Sequence, residues 1–171
     1  LLGDCALFVH GATIATNTVL ERKGAKVGLL TTEGFRDSLE IRRGYRENPF
    51  DHRTPYPPVL VPRSLRLPVA GRIDREGNEV LEFNADDVKA AAQAFADAGV
   101  QSTAICLFNS FLNSVHEKAA VAALRESWGG DWVYASVDIA PIIGEYERTS
   151  TTVMNAYVAP RTVSYLQRLN K

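Results

Sequence analysis

The sequence predicts an α/β fold with parallel βαβ units, and three observations predict it. The first 41 residues run strand, helix, strand, helix. A strand, a crossover helix and a second buried-type strand make a parallel pair with a right-handed crossover. Residues 69–171 return to the same alternation. Between them, residues 42–68 hold six of the eight prolines (Pro49, Pro55, Pro57, Pro58, Pro62 and Pro68) and no helical or strand period. Proline lacks an amide donor and fixes φ, so this stretch reads as a long loop or lid. The expected organisation is residues 1–41 as a βαβ unit, 42–68 as a Pro/Arg-rich loop, and 69–171 as an α/β portion of the same domain.

Each element has a local reason. Residues 6–9 are a short apolar run ending at His10-Gly11. A helix is expected over residues 13–23, with Gly24 in the left-handed position that closes it. Residues 27–31 make the second strand and residues 35–41 a short helix. Residues 66–73 and 79–83 flank a hairpin tip at Gly77 and Asn78. Asn84 caps the next helix, and Asp86 and Asp87 suit its dipole. Val88, Ala91, Ala92, Phe95 and Ala98 form its buried stripe before Gly99. Residues 100–108 are apolar enough for a central strand. Ser114-Val115-His116-Glu117 has the form of a capping box, with His116 expected exposed in the first turn. Val121, Leu124 and Trp128 mark that helix's buried face, and residues 132–136 another strand. A long helix over about residues 144–169 closes the chain, with an interruption expected at Ala159-Pro160.

Composition excludes several classes of function. The 171 residues are 46% hydrophobic and 23% charged, which rules out disorder, collagen, coiled coil and a disulfide scaffold. A net charge of −1, from 19 basic and 20 acidic residues, argues against nucleic acid or anionic lipid as a partner. No run reaches the roughly 18 apolar residues of a membrane span. The charge is nonetheless segregated. Residues 36–72 carry eight Arg against Asp37, Glu40, Glu47 and Asp51, leaving +4 there and −5 elsewhere. Cys5 and Cys106 lie in apolar runs and are expected as buried small hydrophobes, in keeping with a reducing cytoplasm. The chain opens on Leu1 without Met and closes straight off a helical pattern, so a piece of something longer is expected.

Three polar stretches could carry chemistry. In His10-Gly11-Ala12-Thr13-Ile14-Ala15-Thr16-Asn17 the chain leaves a parallel strand at the edge where open α/β sheets bind ligands. Gly11 lets backbone approach a ligand, free helix-start amides favour an anion, and Thr13, Thr16 and Asn17 add polar contacts. The plainer alternative is a helix capped by Thr13, with His10 hydrogen-bonded in the turn. Thr31-Thr32-Glu33-Gly34-Phe35-Arg36-Asp37 is a second turn expected at the same sheet edge. Its Arg36 could clamp a carboxylate or phosphate, or form a surface pair with Asp37 or Glu40. Arg42, Arg43 and Arg46 cluster either for a ligand or as a solvated face. Glu145-Tyr146-Glu147-Arg148-Thr149-Ser150-Thr151-Thr152 opens the last helix. Its acids could be dipole partners, while four hydroxyl residues in a row are poor helix material. Neither His52 nor His116 has partners at ligand spacing, so no metal site is expected.

These stretches together resemble a known family. The residues from His10 to Asn17, followed by Leu20-Glu21-Arg22-Lys23-Gly24-Ala25, are similar to the signature of the hydantoinase A/5-oxoprolinase family. That family includes the ATP-dependent N-methylhydantoinases and the acetone and acetophenone carboxylase subunits. The turn at Thr31-Thr32-Glu33-Gly34-Phe35-Arg36-Asp37 and the helix start at Glu145-Tyr146-Glu147-Arg148 match in the same order, continued by Asn155-Ala156-Tyr157 and Tyr165-Leu166.

The resemblance implies part of an actin-like ATPase fold, akin to sugar kinases and heat-shock ATPases. It implies ATP with Mg or Mn, activating the carbonyl of a small cyclic amide or ketone by phosphorylation, and a hydantoinase B-type partner subunit that completes hydrolysis or carboxylation. On it, His10, Thr13 and Asn17 are the catalytic candidates. Gly11, Thr16, Arg36, Arg43 and Arg148 would bind substrate or phosphate, with Glu145 a polar or structural partner. The family's Asp-x-Gly-Gly-Thr phosphate loop and later Gly-rich segment are not in these residues, and Ala12 stands where many members have Thr. Alone, the piece is expected to be inactive and to hold no cofactor. The competing expectation is a scaffold or subunit-docking module with no ligand site of its own.

Overall fold

The computed structural model describes residues 9–46, 48–51 and 53–169. In chain order the elements are α1 (Ile14–Leu20), β1 (Val27–Thr32), α2 (Ser38–Ile41), β2 (Arg66–Val69), β3 (Arg72–Ile73), β4 (Glu79–Leu81), α3 (Ala85–Asp97), β5 (Ser102–Cys106), α4 (Val115–Ser127), β6 (Val133–Ala135), α5 (Ser136–Ile139) and α6 (Glu145–Leu169). A 3-10 turn, Arg63–Leu65, leads into β2. The expected strand at residues 6–8, together with Cys5, Glu47 and His52, lies outside the described residues.

Four parallel strands in the order β2-β1-β5-β6 form the sheet. Leu29 pairs with Arg66 on one side and Ala104 on the other, and Ile105 pairs with Ala135. Every residue of β1 and β5 is buried, as the continuous apolar character of centrally placed parallel strands requires. Helices cover both faces. α3 and α4 pack together on one, and α6 crosses the other against β5, β6 and β1. Gly28 lets α3 approach, since a Cβ there would meet the Phe95 ring at 2.6 Å. Leu29, Leu30, Phe95, Ile105 and Leu124 sit at the centre of the core. Among the described residues, no helix is long and apolar enough to cross a membrane.

α3 forms as its stripe and caps predict. Asn84 Oδ1 accepts from Asp86 N–H at 3.0 Å, and Gly99 adopts a positive φ of 66°. Elsewhere the structure corrects the local reading. The left-handed residue after α1 is Arg22, with φ 53°. Gly24 answers a different need: a Cβ there would lie 2.3 Å from the Tyr157 ring. The single strand expected over residues 66–73 breaks at Ala70 and Gly71. Its first part is β2, inside the proline-rich stretch. Pro68 is tolerated there because β2 is an edge strand. Its second part pairs antiparallel with β4 in a separate hairpin.

The capping box does not form, and Ser114 makes no side-chain cap. Asn113 Oδ1 instead accepts from Val115 N–H at 3.1 Å, which leaves Glu117 free to turn inward. His116 is 4% exposed rather than solvated, and its Nε2 lies 2.6 Å from Glu79 Oε1. α6 continues through Pro160 without interruption. Proline there deprives the Ala156 carbonyl of its usual donor. Neighbouring carbonyls are served from outside the helix ladder, Tyr157 O by Ala25 N–H at 2.9 Å and Val158 O by Thr162 Oγ1 at 3.0 Å.

Candidate functional site

Parallel sheets bind ligands at their carboxyl edge. Here β5 ends at Cys106, and residues 107–113 form the turn that leads to α4. Glu117, on the first turn of α4, is completely buried beneath it. Its Oε1 accepts from Leu107 N–H at 2.8 Å, Ser110 Oγ at 2.8 Å and Ser136 Oγ at 2.6 Å. Its Oε2 accepts from Val137 N–H at 3.0 Å. Four donors replace the water that a carboxylate loses on burial.

Arg148, on the first turn of α6, closes the same turn from the other side and is 1% exposed. Its Nη2 donates to Leu107 O at 2.8 Å and to Glu145 Oε2 at 2.6 Å, while Nη1 donates to Ser110 Oγ. The guanidinium lies over the Phe111 ring, 5.5 Å from its centroid. Burial raises the Glu145 carboxyl above its ordinary range, against the pull of Arg148. Burial likewise pushes the Cys106 thiol up to about 12. Thr149 Oγ1 donates to the sulfur at 3.0 Å. Cys106 is thus a neutral packing residue, as expected for a thiol in an apolar strand.

The outer part of the turn organises a second layer. Phe108 N–H donates to Thr32 Oγ1 at 2.9 Å, and its ring stacks on Phe35 with centroids 4.4 Å apart. The Arg72 guanidinium sits over both rings, 4.3 Å from Phe108 and 4.9 Å from Phe35. Asn109 adopts a left-handed φ of 56°. Its Nδ2 donates to Ile73 O at 3.0 Å and Asp74 O at 2.9 Å. Asn113 Nδ2 reaches Gly77 O at 2.9 Å. The hairpin β3–β4 is thereby pinned to the sheet edge. Ser110, Arg72 and Asn109 escape the sequence reading as site residues, and Glu117 enters it only as part of a capping box. The available signal was the alternation of aromatic with Asn and Ser in Phe108-Asn109-Ser110-Phe111 directly after a wholly apolar strand.

The residues singled out from sequence fall into separate groups. Arg148 and Glu145 belong to the carboxyl edge, where both terminal guanidinium nitrogens and Glu145 Oε2 are engaged by the protein itself and Arg148 Nε is left buried without a partner. Arg36 donates Nε and Nη2 to Arg63 O, at 3.2 and 2.7 Å, and pairs with neither Asp37 nor Glu40. Those acids are taken by other arginines. Arg63 grips Asp37 through two bonds of 2.9 and 3.2 Å, and the buried Arg66 reaches Glu40 at 3.0 Å. The Arg63 hydrogen bond holds the Asp37 carboxyl below its ordinary value. Arg43 pairs with Glu147 of α6, and Arg42 and Arg46 lie over the Tyr56 ring.

His10, Gly11, Thr13, Thr16 and Asn17 form an exposed turn at the far end of α6. His10 Nε2 hydrogen-bonds the Tyr165 hydroxyl, and Asn17 Nδ2 reaches Thr13 Oγ1 at 3.3 Å. Thr13 occupies the cap position of α1 without a side-chain cap. Tyr165 and Arg148 stand seventeen residues apart on one helix, roughly 25 Å at 1.5 Å per residue. The turn that begins at Thr31 joins the Arg148 end through the Phe108–Thr32 hydrogen bond, so the two turns expected at one sheet edge are not brought together.

Comparison with known proteins gives this arrangement a context. The chain is 41% identical over 172 residues to caprolactamase subunit alpha of Pseudomonas jessenii, covering 99% of this chain and 25% of that one. Its fold matches the crystal structure of the ATP-dependent caprolactamase from that organism with a TM-score of 0.91 at 40% identity, again over 99% of this chain and 25% of that one. The acetophenone carboxylase gamma subunit of Aromatoleum aromaticum is 35% identical, over 92% of this chain and 23% of its own. The nucleotide-free acetone carboxylase structure matches with a TM-score of 0.78 at 29% identity, over 88% and 23%. The chain thus spans about a quarter of the length of these relatives. Residues 3–128 match the family described as the hydantoinase/oxoprolinase N-terminal region. With that match and this degree of identity, the chain belongs to the hydantoinase/oxoprolinase N-terminal family.

Proposed function

We propose that this chain is the N-terminal part of a subunit that uses ATP to open a small cyclic amide, with hydantoins, oxoproline and ketones as the wider substrate class. One observation carries the reading: 41% identity across 99% of the chain to a caprolactamase subunit, with the same fold at a TM-score of 0.91. In this reading the carbonyl oxygen of the amide or ketone takes up the γ-phosphoryl group of ATP, ADP leaves, and hydrolysis or carboxylation follows at the activated carbon. The surrounding fold is proposed to be actin-like, and a hydantoinase B-type subunit the partner. Relatives described as alpha and gamma subunits support a multi-subunit assembly.

The described residues fit one wall of such a nucleotide site. Thr13, at the start of α1, and Thr16 and Asn17, within it, are exposed polar residues available to a ligand, and His10 is oriented by Tyr165. We assign His10, Thr13 and Asn17 to the reacting centre, with Gly11 and Thr16 as substrate or phosphate contacts beside them. Arg36 and Arg43 stand apart from that turn and would contact substrate or phosphate by exchanging their present partners, Arg63 O and Glu147. Arg148 and Glu145 hold the carboxyl edge in shape. No three His, Cys, Asp or Glu side chains converge as a metal cage among the described residues. A Mg or Mn ion would take its oxygen ligands from phosphate, water and residues beyond these. The test is ADP release by the intact subunit with its partner, in the presence of caprolactam, hydantoin, 5-oxoproline, or acetone with bicarbonate. Release dependent on a cyclic amide is expected. ATP consumption indifferent to every one of these compounds would overturn the reading.

A second reading, the docking module, has its own observation. Tyr45 is 77% and Phe50 94% exposed in the proline-rich stretch, and bare aromatics on a basic segment suit a protein partner. Replacing Arg42, Arg43 and Arg46 with Ala separates the two. Lost subunit association with normal turnover supports docking, and lost turnover with intact assembly supports the active-site reading.

A further inference from the structure

The carboxyl edge of the sheet holds one cation that the packing presents rather than consumes. Arg148, Arg66, Arg63 and Arg36 each donate to carboxylates, hydroxyls or carbonyls of the protein, Arg148 through both terminal nitrogens with its Nε buried out of reach of solvent. Arg72 does not. Among the described residues its guanidinium has no hydrogen-bonding or ion-pair partner, although the residue is half-buried. Its contacts are two aromatic faces, Phe108 at 4.3 Å and Phe35 at 4.9 Å.

Stacking on a ring occupies the face of a guanidinium and leaves its N–H donors, which lie in the plane, pointing outward. That planar fork matches two oxygens of one anion. The group is also held in place from several sides. The Arg72 backbone pairs with Leu81, Phe35 and Phe108 stack on each other, and Phe108 is fixed by Thr32. The left-handed Asn109 clamps the two carbonyls that follow Arg72 in the chain. A left-handed residue other than glycine costs conformational energy, and such residues gather where the fold over-determines a functional geometry.

We propose that Arg72 is an oxyanion-binding residue, offering its guanidinium edge at the carboxyl ends of β1 and β5 to a phosphoryl or carboxylate group. The inference deepens the ATP-dependent reading above and rests on it for the choice of phosphate as probe. It adds a residue which that reading does not use. The aromatic pair replaces a carboxylate counter-ion, so the charge stays available for the incoming anion and lacks a fixed partner that would have to be displaced.

The test is thermal unfolding of the intact protein in inorganic phosphate and, separately, in acetate, each against chloride at matched ionic strength. At a tenfold excess over the dissociation constant, binding should raise Tm by about 3–6 °C. R72Q should lose this rise, R72K should keep only part of it, and R75Q, at the exposed hairpin tip, should keep all of it. A rise with phosphate alone identifies a phosphoryl site, and a rise with acetate alone a carboxylate site. Since the readout is the difference between anions within each variant, a lower starting Tm in R72Q does not obscure it. An equal rise in R72Q and the parent protein, or no rise in the parent protein, overturns the proposal. An Arg72-dependent shift without ATP turnover would sink the ATP reading and leave this site standing. Turnover without the shift would do the reverse.

Discussion

Glu117 of α4 and Arg148 of α6 meet through a single hydroxyl. Ser110 Oγ donates to Glu117 Oε1 at 2.8 Å and accepts from Arg148 Nη1. Leu107 repeats the arrangement in its backbone, with its N–H on Glu117 at 2.8 Å and its carbonyl on Arg148 at 2.8 Å. The two charges lie on helices on opposite faces of the sheet, so the turn after β5 is where the layers are fastened together.

Glu117→Gln should be strongly destabilising. The amide keeps the volume but turns a donor toward one of four groups that already donate, and it leaves Arg148 less well compensated. Breaking a buried charge arrangement costs about 3–5 kcal/mol, which lowers Tm by roughly 6–20 °C in a chain of this size. The double variant E117Q/R148M should cost clearly less than the sum of the two single changes. Denaturant titration measures all three. A loss below about 1 kcal/mol for E117Q would show that the network is not what fastens the turn.

Two carboxyls should shape the pH dependence with opposite signs. Glu145 is raised by burial above its ordinary 4.5, so the folded state holds its proton more tightly than the unfolded chain does. Its contribution is full below that value and is lost as pH rises through the folded pKa. Glu145→Gln mimics the protonated form, so its stability relative to the parent protein should improve as pH rises above the ordinary carboxyl value and level off once the folded-state carboxyl has ionised. Glu79 is lowered by its hydrogen bond with His116. Its contribution is present above 4.5 and is lost as pH falls through the folded pKa. His116→Phe should flatten that acid limb and leave the Glu145 slope intact. Urea midpoints as a function of pH read both, and parallel curves for all three proteins would refute the assignment.

Legibility followed the distance over which each residue is decided. β1 and α3 were readable because burial on both faces and a four-position stripe are written within the element itself. From sequence, Glu117 reads as a cap and His116 as exposed, because a first turn preceded by serine looks the same whether its side chains turn back or inward. What decides is Asn113, which takes over the cap, and four donors from residues 107, 110, 136 and 137. Pro160 suggests an interruption for a similar reason. Its local cost is plain in sequence, whereas the Ala25 amide that serves the next carbonyl comes from another part of the chain. At the candidate site, the arginines could be named from sequence. Which of them is paired within the fold and which, like Arg72, is left with its donors unpaired depends on the packing of Phe35 against Phe108.

Gly28→Ala tests how closely α3 lies on the sheet. The methyl group would meet Phe95 at 2.6 Å in a core with no measurable exposure at that ring. Neither β1 nor α3 can move without disturbing the pairing of Gly28 with Thr103. Overpacking of this kind costs about 1–3 kcal/mol. Denaturant unfolding should show that loss with an unchanged m-value, and a stability equal to the parent protein would mean that the helix stands further off than the geometry gives.

The His10 turn separates chemistry from stability most cleanly. His10 is exposed and its Nε2 hydrogen-bonds the Tyr165 hydroxyl, so His10→Ala, a change at the surface, should alter stability by less than about 1 kcal/mol. If His10 moves a proton at the reacting carbonyl, the same change should lower ATP-dependent turnover by roughly 100- to 10,000-fold. Tyr165→Phe removes the hydrogen bond that orients the ring while leaving the imidazole itself. It should give a smaller loss, together with a shift in the pH profile of turnover, because the tautomer of His10 is no longer fixed from that side. Steady-state kinetics of the intact subunit with its partner, paired with melts of each variant, measure both. Full activity in His10→Ala would remove this turn from the reacting centre and leave the carboxyl edge, with Arg72, as the place to look.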